Sequence, residues 1–226
     1  MSGAVPSGAI LALDASGAAC SVAVTRDGDL LAVRQQPMDR GHAEALMPLV
    51  MEAMAEAGIA FTDLATIAVG VGPGSFTGIR IALAAARGMG LAARCPVVGI
   101  DSFSAVAAQL DPADLAGRSL LVVIESKRSE LFGQYFDSEL HTMGGPLVLP
   151  PVALLQQRPA GSLLIAGDGA VRLPPGPNIV SARGTLRPDA LAIAQLAQTG
   201  KHVLPARPLY LRAADVTLPR ASETAR

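Results

Sequence analysis

Three short apolar runs open the chain, Ile10 to Asp14, Ser21 to Thr25 and Leu30 to Gln35, each closed by turn residues. Ser16-Gly17 and Asp27-Gly28 separate them, and Asp-Gly is a strong hairpin signal, so the pattern predicts a β-meander. At His42 the period changes. Leu46, Leu49, Val50, Ala53 and Ala57 recur at the spacing of one helical face, which predicts a helix over 42–57 stopped by Gly58. Met47, Met51 and Met54 add a second apolar stripe, and a helix apolar on more than one side is either buried in its domain or covered by a partner. Thr66 to Gly70 then reads as a buried strand, Phe76 to Ala93 as a long helix, Val97 to Ile100 as a strand and Ser102 to Gln109 as a helix.

The second half restarts the same programme. Leu120 to Glu125 and Glu130 to Phe136 repeat the opening pair of runs, Leu163 to Ala166 leads into Gly167-Asp168-Gly169-Ala170, and Pro188 to Gln198 is helical. Between Leu140 and Arg158 the pattern is only partly readable, so the second copy reads as eroded. Two β-β-β-α-β-α units predict an α/β fold of duplicated ribonuclease-H-like lobes meeting at a cleft, the architecture of the acetate and sugar kinase, Hsc70 and actin superfamily. The expected lobes are 9–110 and 111–215, with a disordered tail over 1–8 and a flexible one over 216–226.

Composition narrows the function classes. The chain has 226 residues, half of them hydrophobic, which is ample for a core. Its formal net charge is −1 and its lysines are only Lys127 and Lys201, so bulk electrostatic grip on nucleic acid is not expected. Cys20 and Cys95 read as reduced thiols rather than a disulfide, and the apolar run from Ala9 to Leu13 is too short to span a membrane. A cytoplasmic protein without membrane contact is the expectation.

The densest motif is Gly72-Pro73-Gly74-Ser75-Phe76-Thr77-Gly78-Ile79-Arg80, between the strand ending at Gly70 and the long helix. It lacks the third glycine of a dinucleotide fingerprint, the Gly-Lys pair of a P-loop and the Gly-x-Ser-x-Gly frame of a nucleophile elbow. Ser75 is therefore read as the helix cap rather than a nucleophile. Behind it, Gly78, Ala82, Ala86 and Gly90 fall at successive i, i+4 positions and make one helix face smooth. That face either packs on its own sheet or meets a helix of a second subunit; the second is the expectation, with Met47, Met51 and Met54 nearby.

Candidate chemistry is sparse, and no catalytic residue is assigned. His42 has Leu46 where a second metal-binding histidine on the same helix face would stand, and His141 and His202 lack supporting spacing, so no metal site is expected. Asp14 ends the first strand, where kinases of the superfamily bind phosphate and magnesium. Asp14 and Ser16, with Gly167 and Gly169, are the weak candidates for a nucleotide site, and Asp14 and Glu125 are candidates for carboxylates paired across the cleft, although structural turn and strand-end roles serve equally well.

With these residues in place the chain resembles the TsaB (YeaZ) family, associated with the threonylcarbamoyladenosine (t6A) modification of tRNA. The resemblance rests on Ile10 to Ser16, Gly41-His42-Ala43-Glu44, the 72–80 motif, Asp101-Ser102, Gly167-Asp168-Gly169-Ala170 and Pro208-Leu209-Tyr210-Leu211-Arg212. It implies a non-catalytic scaffold that binds the catalytic TsaD subunit through the two N-terminal helices, alongside the ATPase TsaE. It also implies that ATP and a metal belong to the partner subunits. The near-neutral charge leads to the expectation that tRNA is met mainly through the complex, and an apolar helix face left uncovered leads to the expectation that the isolated chain can pair with itself. At the start of the second lobe, Glu125 to Glu130 departs from the family's usual stretch by carrying Lys127 in place of arginine. The alternative reading from the fold class is an ATP-dependent phosphotransferase.

Overall fold

A computed structural model of the chain describes residues 8–184 and 186–212. Most of the tail expected over 1–8 and all of that over 216–226 lie outside the described residues. In chain order the elements are β1 (Ala9–Gly17), β2 (Ala19–Arg26), β3 (Asp29–Pro37), α1 (His42–Ala57), β4 (Leu64–Gly70), α2 (Phe76–Ala93), β5 (Val97–Ile100), α3 (Ser102–Ala107) and α4 (Pro112–Leu115). There follow β6 (Ser119–Ile124), β7 (Leu131–Phe136), β8 (Thr142–Leu149), α5 (Pro151–Gln156), β9 (Leu163–Ala166), β10 (Ile179–Ser181), α6 (Ala190–Thr199) and β11 (Val203–Pro205).

The strands form two sheets, ordered β11-β5-β4-β1-β2-β3 and β10-β9-β6-β7-β8. Setting β11 aside, the two have one topology: an antiparallel meander of three strands, then two strands added parallel to the first. This is the duplicated ribonuclease-H-like, actin-type fold that the repeated apolar pattern predicts. The Asp27-Gly28 hairpin forms with φ of 53° and 96°, the positive pair that a tight two-residue turn requires.

Period-two alternation divides each sheet between two cores. Leu11, Leu13 and Ala15 of β1 face α1 and α2, whereas Ile10 and Ala12 face α6. In the second sheet Leu120, Val122 and Ile124 of β6 face α3, and Leu121 and Val123 face α5. Helices α3 and α6 thus stand between the sheets, and α6 and β11 return to the first sheet although they follow the second in sequence. Both faces of β1 are covered, which explains why even its polar residues Asp14 and Ser16 are buried.

The second copy is smaller where the pattern faded. Its outer layer is the six-residue α5 and a short 3-10 turn at Ala170–Arg172, against 16 and 18 residues in α1 and α2. Gly144-Gly145-Pro146 conceals β8 in the sequence, because a proline argues against a central strand. Here β8 is an edge strand of its sheet, where a missing N–H is tolerated.

The smooth face of α2 does not point outward. Gly78, Ala82, Ala86 and Gly90 are all buried against the first lobe's own core, which corrects their assignment to a partner surface. A Cβ on Gly78 would lie 1.8 Å from the carbonyl oxygen of Ala15, and one on Gly90 would lie 2.3 Å from Val97 Cγ2. The small residues let the helix approach β1 and β5. Met54 is likewise buried, while Met47 and Met51 are 39% and 56% exposed. The methionine stripe is split between the core and the surface.

Candidate functional site: the interlobe cleft and the outer helix face

The glycine motif closes on its own chain. Gly70 leaves room for the Asp14 carboxylate, Gly74 for the carbonyl of Ser16 and Gly78 for that of Ala15. The Ser75 N–H donates to Ser16 O at 2.7 Å, and Ser75 Oγ accepts from the Gly78 N–H at 3.2 Å, the capping bond expected of it. Two further backbone bonds, Val71 N to Ile100 O and Ser102 N to Gly72 O, lock the segment to β5 and α3. What approaches these glycines is the end of β1.

Asp14 and Ser16 are held in that junction. Ser16 donates to the Asp14 carboxylate through its backbone N–H at 3.0 Å and its hydroxyl at 2.9 Å, and its Oγ lies 3.4 Å from Ser102 Oγ. Burial pushes the Asp14 carboxyl up to about 7; the Ser16 bonds oppose the shift and the charge of Asp189 adds to it. Beside it, burial raises the Cys20 thiol to about 11, with Asp14 contributing. Asp14 is therefore an almost wholly buried group with two local donors, not a carboxylate presented to the cleft.

Gly167 and Gly169 are explained in the same way. A Cβ on Gly167, at φ 107°, would fall 2.1 Å from Val123 O, and the Gly169 N–H donates to that oxygen at 3.1 Å. The turn is pressed onto β6, so the Gly169 amide is engaged. Glu125 is not paired with Asp14. Its Oε1 accepts from Arg172 at 2.8 Å and from the Lys127 N–H at 2.6 Å, while its own N–H donates to Asp168 Oδ1. Burial raises the Asp168 carboxyl, with the Glu125 bond and the charge of Arg187 pulling it back.

Between the lobes lies a cleft of about 560 Å³. The turn after β1, the start of α2, the loop after β6, Asp168, the segment entering α6 and residues 209–212 line it. His42 is on its wall, with Nε2 3.1 Å from Gly17 O. Among the described residues no group of three or more His, Cys, Asp or Glu is placed to hold a metal ion, nor is any helix long and apolar enough to cross a membrane.

A strap that the apolar pattern did not reveal borders this cleft. After β11 the chain crosses the start of α2: the Leu209 N–H donates to Val71 O at 2.8 Å, and Tyr210 stacks on Phe76 with ring centroids 4.8 Å apart. Arg80 lies over the Phe76 ring at 3.7 Å and donates to the Tyr210 hydroxyl at 2.8 Å. Arg212 then pairs with Glu130 of the second lobe. The strap joins both lobes, and Tyr210→Ala should lower stability by about 1 kcal/mol, measured by urea unfolding.

The outer face of the α1 and α2 layer is the second feature. With the first small-residue row turned inward, another faces out: Ala84, Gly88 and Ala92 are exposed at i, i+4 spacing, and nothing lies within 4 Å of a Cβ built on Gly88. Leu91 is 83% exposed beside them in sequence. The periodicity contained this row, but nothing local distinguished it from the buried one.

The model of the family described as "TsaD: tRNA N6-adenosine threonylcarbamoyltransferase" matches residues 36–205, from the end of β3 through β11. The TsaB protein of Escherichia coli K12, described as a tRNA threonylcarbamoyladenosine biosynthesis protein, is 34% identical over 123 residues, which cover 54% of this chain and 52% of that protein. The match thus spans about half the length of that relative. The protein Rv3421c of Mycobacterium tuberculosis is 33% identical over 161 residues, covering 70% and 71% of the two chains. The solved structure of YeaZ from Pseudomonas aeruginosa superposes with a TM-score of 0.76 at 29% identity, covering 90% of this chain and all of the other. The motif, the doubled topology and these matches agree, and the chain belongs to the TsaD-type family, on its TsaB (YeaZ) branch.

Proposed function

We propose that this chain works in the biosynthesis of threonylcarbamoyladenosine on tRNA as a non-catalytic subunit that docks on and supports the catalytic TsaD subunit. The observation that carries this reading is the outer face of the helical layer, where Met47 and Met51 of α1 and Ala84, Gly88 and Leu91 of α2 are exposed. Methionine adapts to an irregular partner surface, and alanine and glycine admit a second helix at short range. An interface of standard size, about 1,600 Å² in total, is within reach of two helices of 16 and 18 residues.

The engaged groups at the glycine junction favour a supporting rather than a chemical role. Asp14 is turned into the protein, the His42 ring contacts Gly17 O, and Leu46 is a core residue. In this reading ATP and the metal act on the partner subunits, TsaE joins the assembly through the TsaD complex, and tRNA is contacted mainly by the partner. Alone in solution, the same helix face is available to a second copy of the chain.

Gly88→Arg and Met51→Asp test the proposal on exposed positions that leave the core intact. Each is expected to reduce co-purification with TsaD at least about tenfold and to leave the unfolding midpoint within a few degrees of wild type. Undiminished capture by both variants would remove this face from the interface.

A further inference from the structure

Arginines recur at every seventh residue of α2, close to two helical turns. Arg80, Arg87 and Arg94, the last at the C-cap, therefore share one flank of the helix over about 21 Å, and all three are exposed. Beside them runs the chain that follows β11. Arg87 donates to the Ala206 carbonyl and Arg80 to the Tyr210 hydroxyl, which sets the exposed Arg207 next to the row. Arg87, Arg94 and Arg207 are not on the wall of the interlobe cleft.

No carboxylate neutralises this flank from its own elements. Asp and Glu do not occur between Asp63 and Asp101 or between Asp189 and Arg212, the stretches that build α2 and the segment beside it. Among the described residues none of the four arginines is in a salt bridge, whereas Arg34, Lys127, Arg172 and Arg212 each are. The hydrogen bonds of Arg80 and Arg87 to their own chain use one N–H apiece, and a guanidinium has five to offer. A net charge of −1 over the whole chain conceals this segregation, because the field at a surface follows the local distribution of charge.

We propose that this arginine flank holds the sugar-phosphate backbone of RNA, as a secondary contact of the chain with the tRNA substrate. The inference rests on the t6A reading above and deepens it. A phosphate backbone presents charge repeated at even intervals along a line, and a guanidinium fork matches two phosphate oxygens. Ala84 and Leu91 lie three and four residues from Arg87, so the row borders the exposed docking face on α2. RNA lying along the row would pass the rim of that face and leave its centre free for the partner.

The test is fluorescence anisotropy of a labelled tRNA transcript titrated with the full chain from about 50 to about 200 mM KCl. Saturable binding is expected, with a slope of log K against log salt of about −3 for four phosphate contacts. Arg87→Gln combined with Arg94→Gln should weaken binding at the lowest salt by at least about tenfold and halve the slope, while lysine at both positions, which keeps the charge, should retain the slope. Arg207→Gln alone should reduce the slope by about one and provides a second, independent variant. Labelled polyglutamate should bind at least about tenfold more weakly than tRNA, since carboxylates on a flexible chain do not reproduce the phosphate spacing. The double glutamine variant should still co-purify with TsaD, and Met51→Asp should still bind tRNA, so loss of this contact and loss of docking are read separately. Absence of salt-dependent tRNA binding, wild-type affinity in the double glutamine variant, or polyglutamate bound as tightly as tRNA would overturn the assignment.

Discussion

Replacing Asp14 with asparagine is expected to stabilise the protein at pH 8 by as much as about 4 kcal/mol and to flatten the pH dependence of its stability. The carboxyl is buried and its pKa is raised to about 7, from an ordinary value of 3.8. Below pH 4 it is protonated in both folded and unfolded chains and costs nothing. As pH rises from about 4 to about 7, the unfolded chain loses this proton while the folded chain retains it, so the stability present at low pH is progressively lost. Above about 7 both states are ionised and this contribution levels off. An asparagine side chain in its place would keep the shape and accept from the Ser16 N–H without a buried charge. Urea unfolding of the wild type and of Asp14→Asn from pH 4 to pH 8 measures the difference directly. Parallel curves would show that Asp14 is ionised in the folded state throughout that range, and would overturn the account of a neutral buried carboxyl. Asp168 and Asp189, both raised by burial, add slopes of the same sign that persist in the variant.

Gly78→Ala is expected to act in the opposite direction, costing about 3 kcal/mol or more. Alanine is ordinarily the better helix former, by roughly 1 kcal/mol. At this position, however, the added methyl would sit 1.8 Å from the Ala15 carbonyl oxygen, which is backbone within the central strand of the first sheet. Either β1 or the start of α2 must move, and the Ser75 to Ser16 bond lies in the path of that movement. Gly88→Ala provides the control: the same substitution in the same helix, with nothing within 4 Å, should be neutral or slightly stabilising. Thermal unfolding of the pair separates helix propensity from close approach. Equal midpoints would show that the contact relaxes freely.

These two cases show where sequence reading reached and where it stopped. The bounds of α1 and α2 follow from apolar spacing and from their end signals, Gly58 and Ser75, because those forces act within a few residues. The doubled meander was legible for a similar reason, as each run carries its own alternation and its own turn. By contrast, β8 was obscured because its proline is acceptable only at an edge, and edge position is a property of the sheet. The strap escaped because it is held by single contacts, Leu209 on Val71, Tyr210 on Phe76 and Arg212 on Glu130, with no period to reveal them.

The sequence by itself determined the repeated lobes, the helix that follows the glycine motif, and the need for something to come close to that motif. Only the tertiary structure decided what comes close. Two rows of small residues run along α2, Gly78-Ala82-Ala86-Gly90 and Ala84-Gly88-Ala92, and local propensity barely distinguishes them. The rotation of the helix was settled by the carbonyl of Ala15 and the side chain of Val97, which leave space for one row and not for a larger one. That packing turned the first row into core, left the second exposed, and made the end of β1, rather than a ligand, the occupant of the glycine junction.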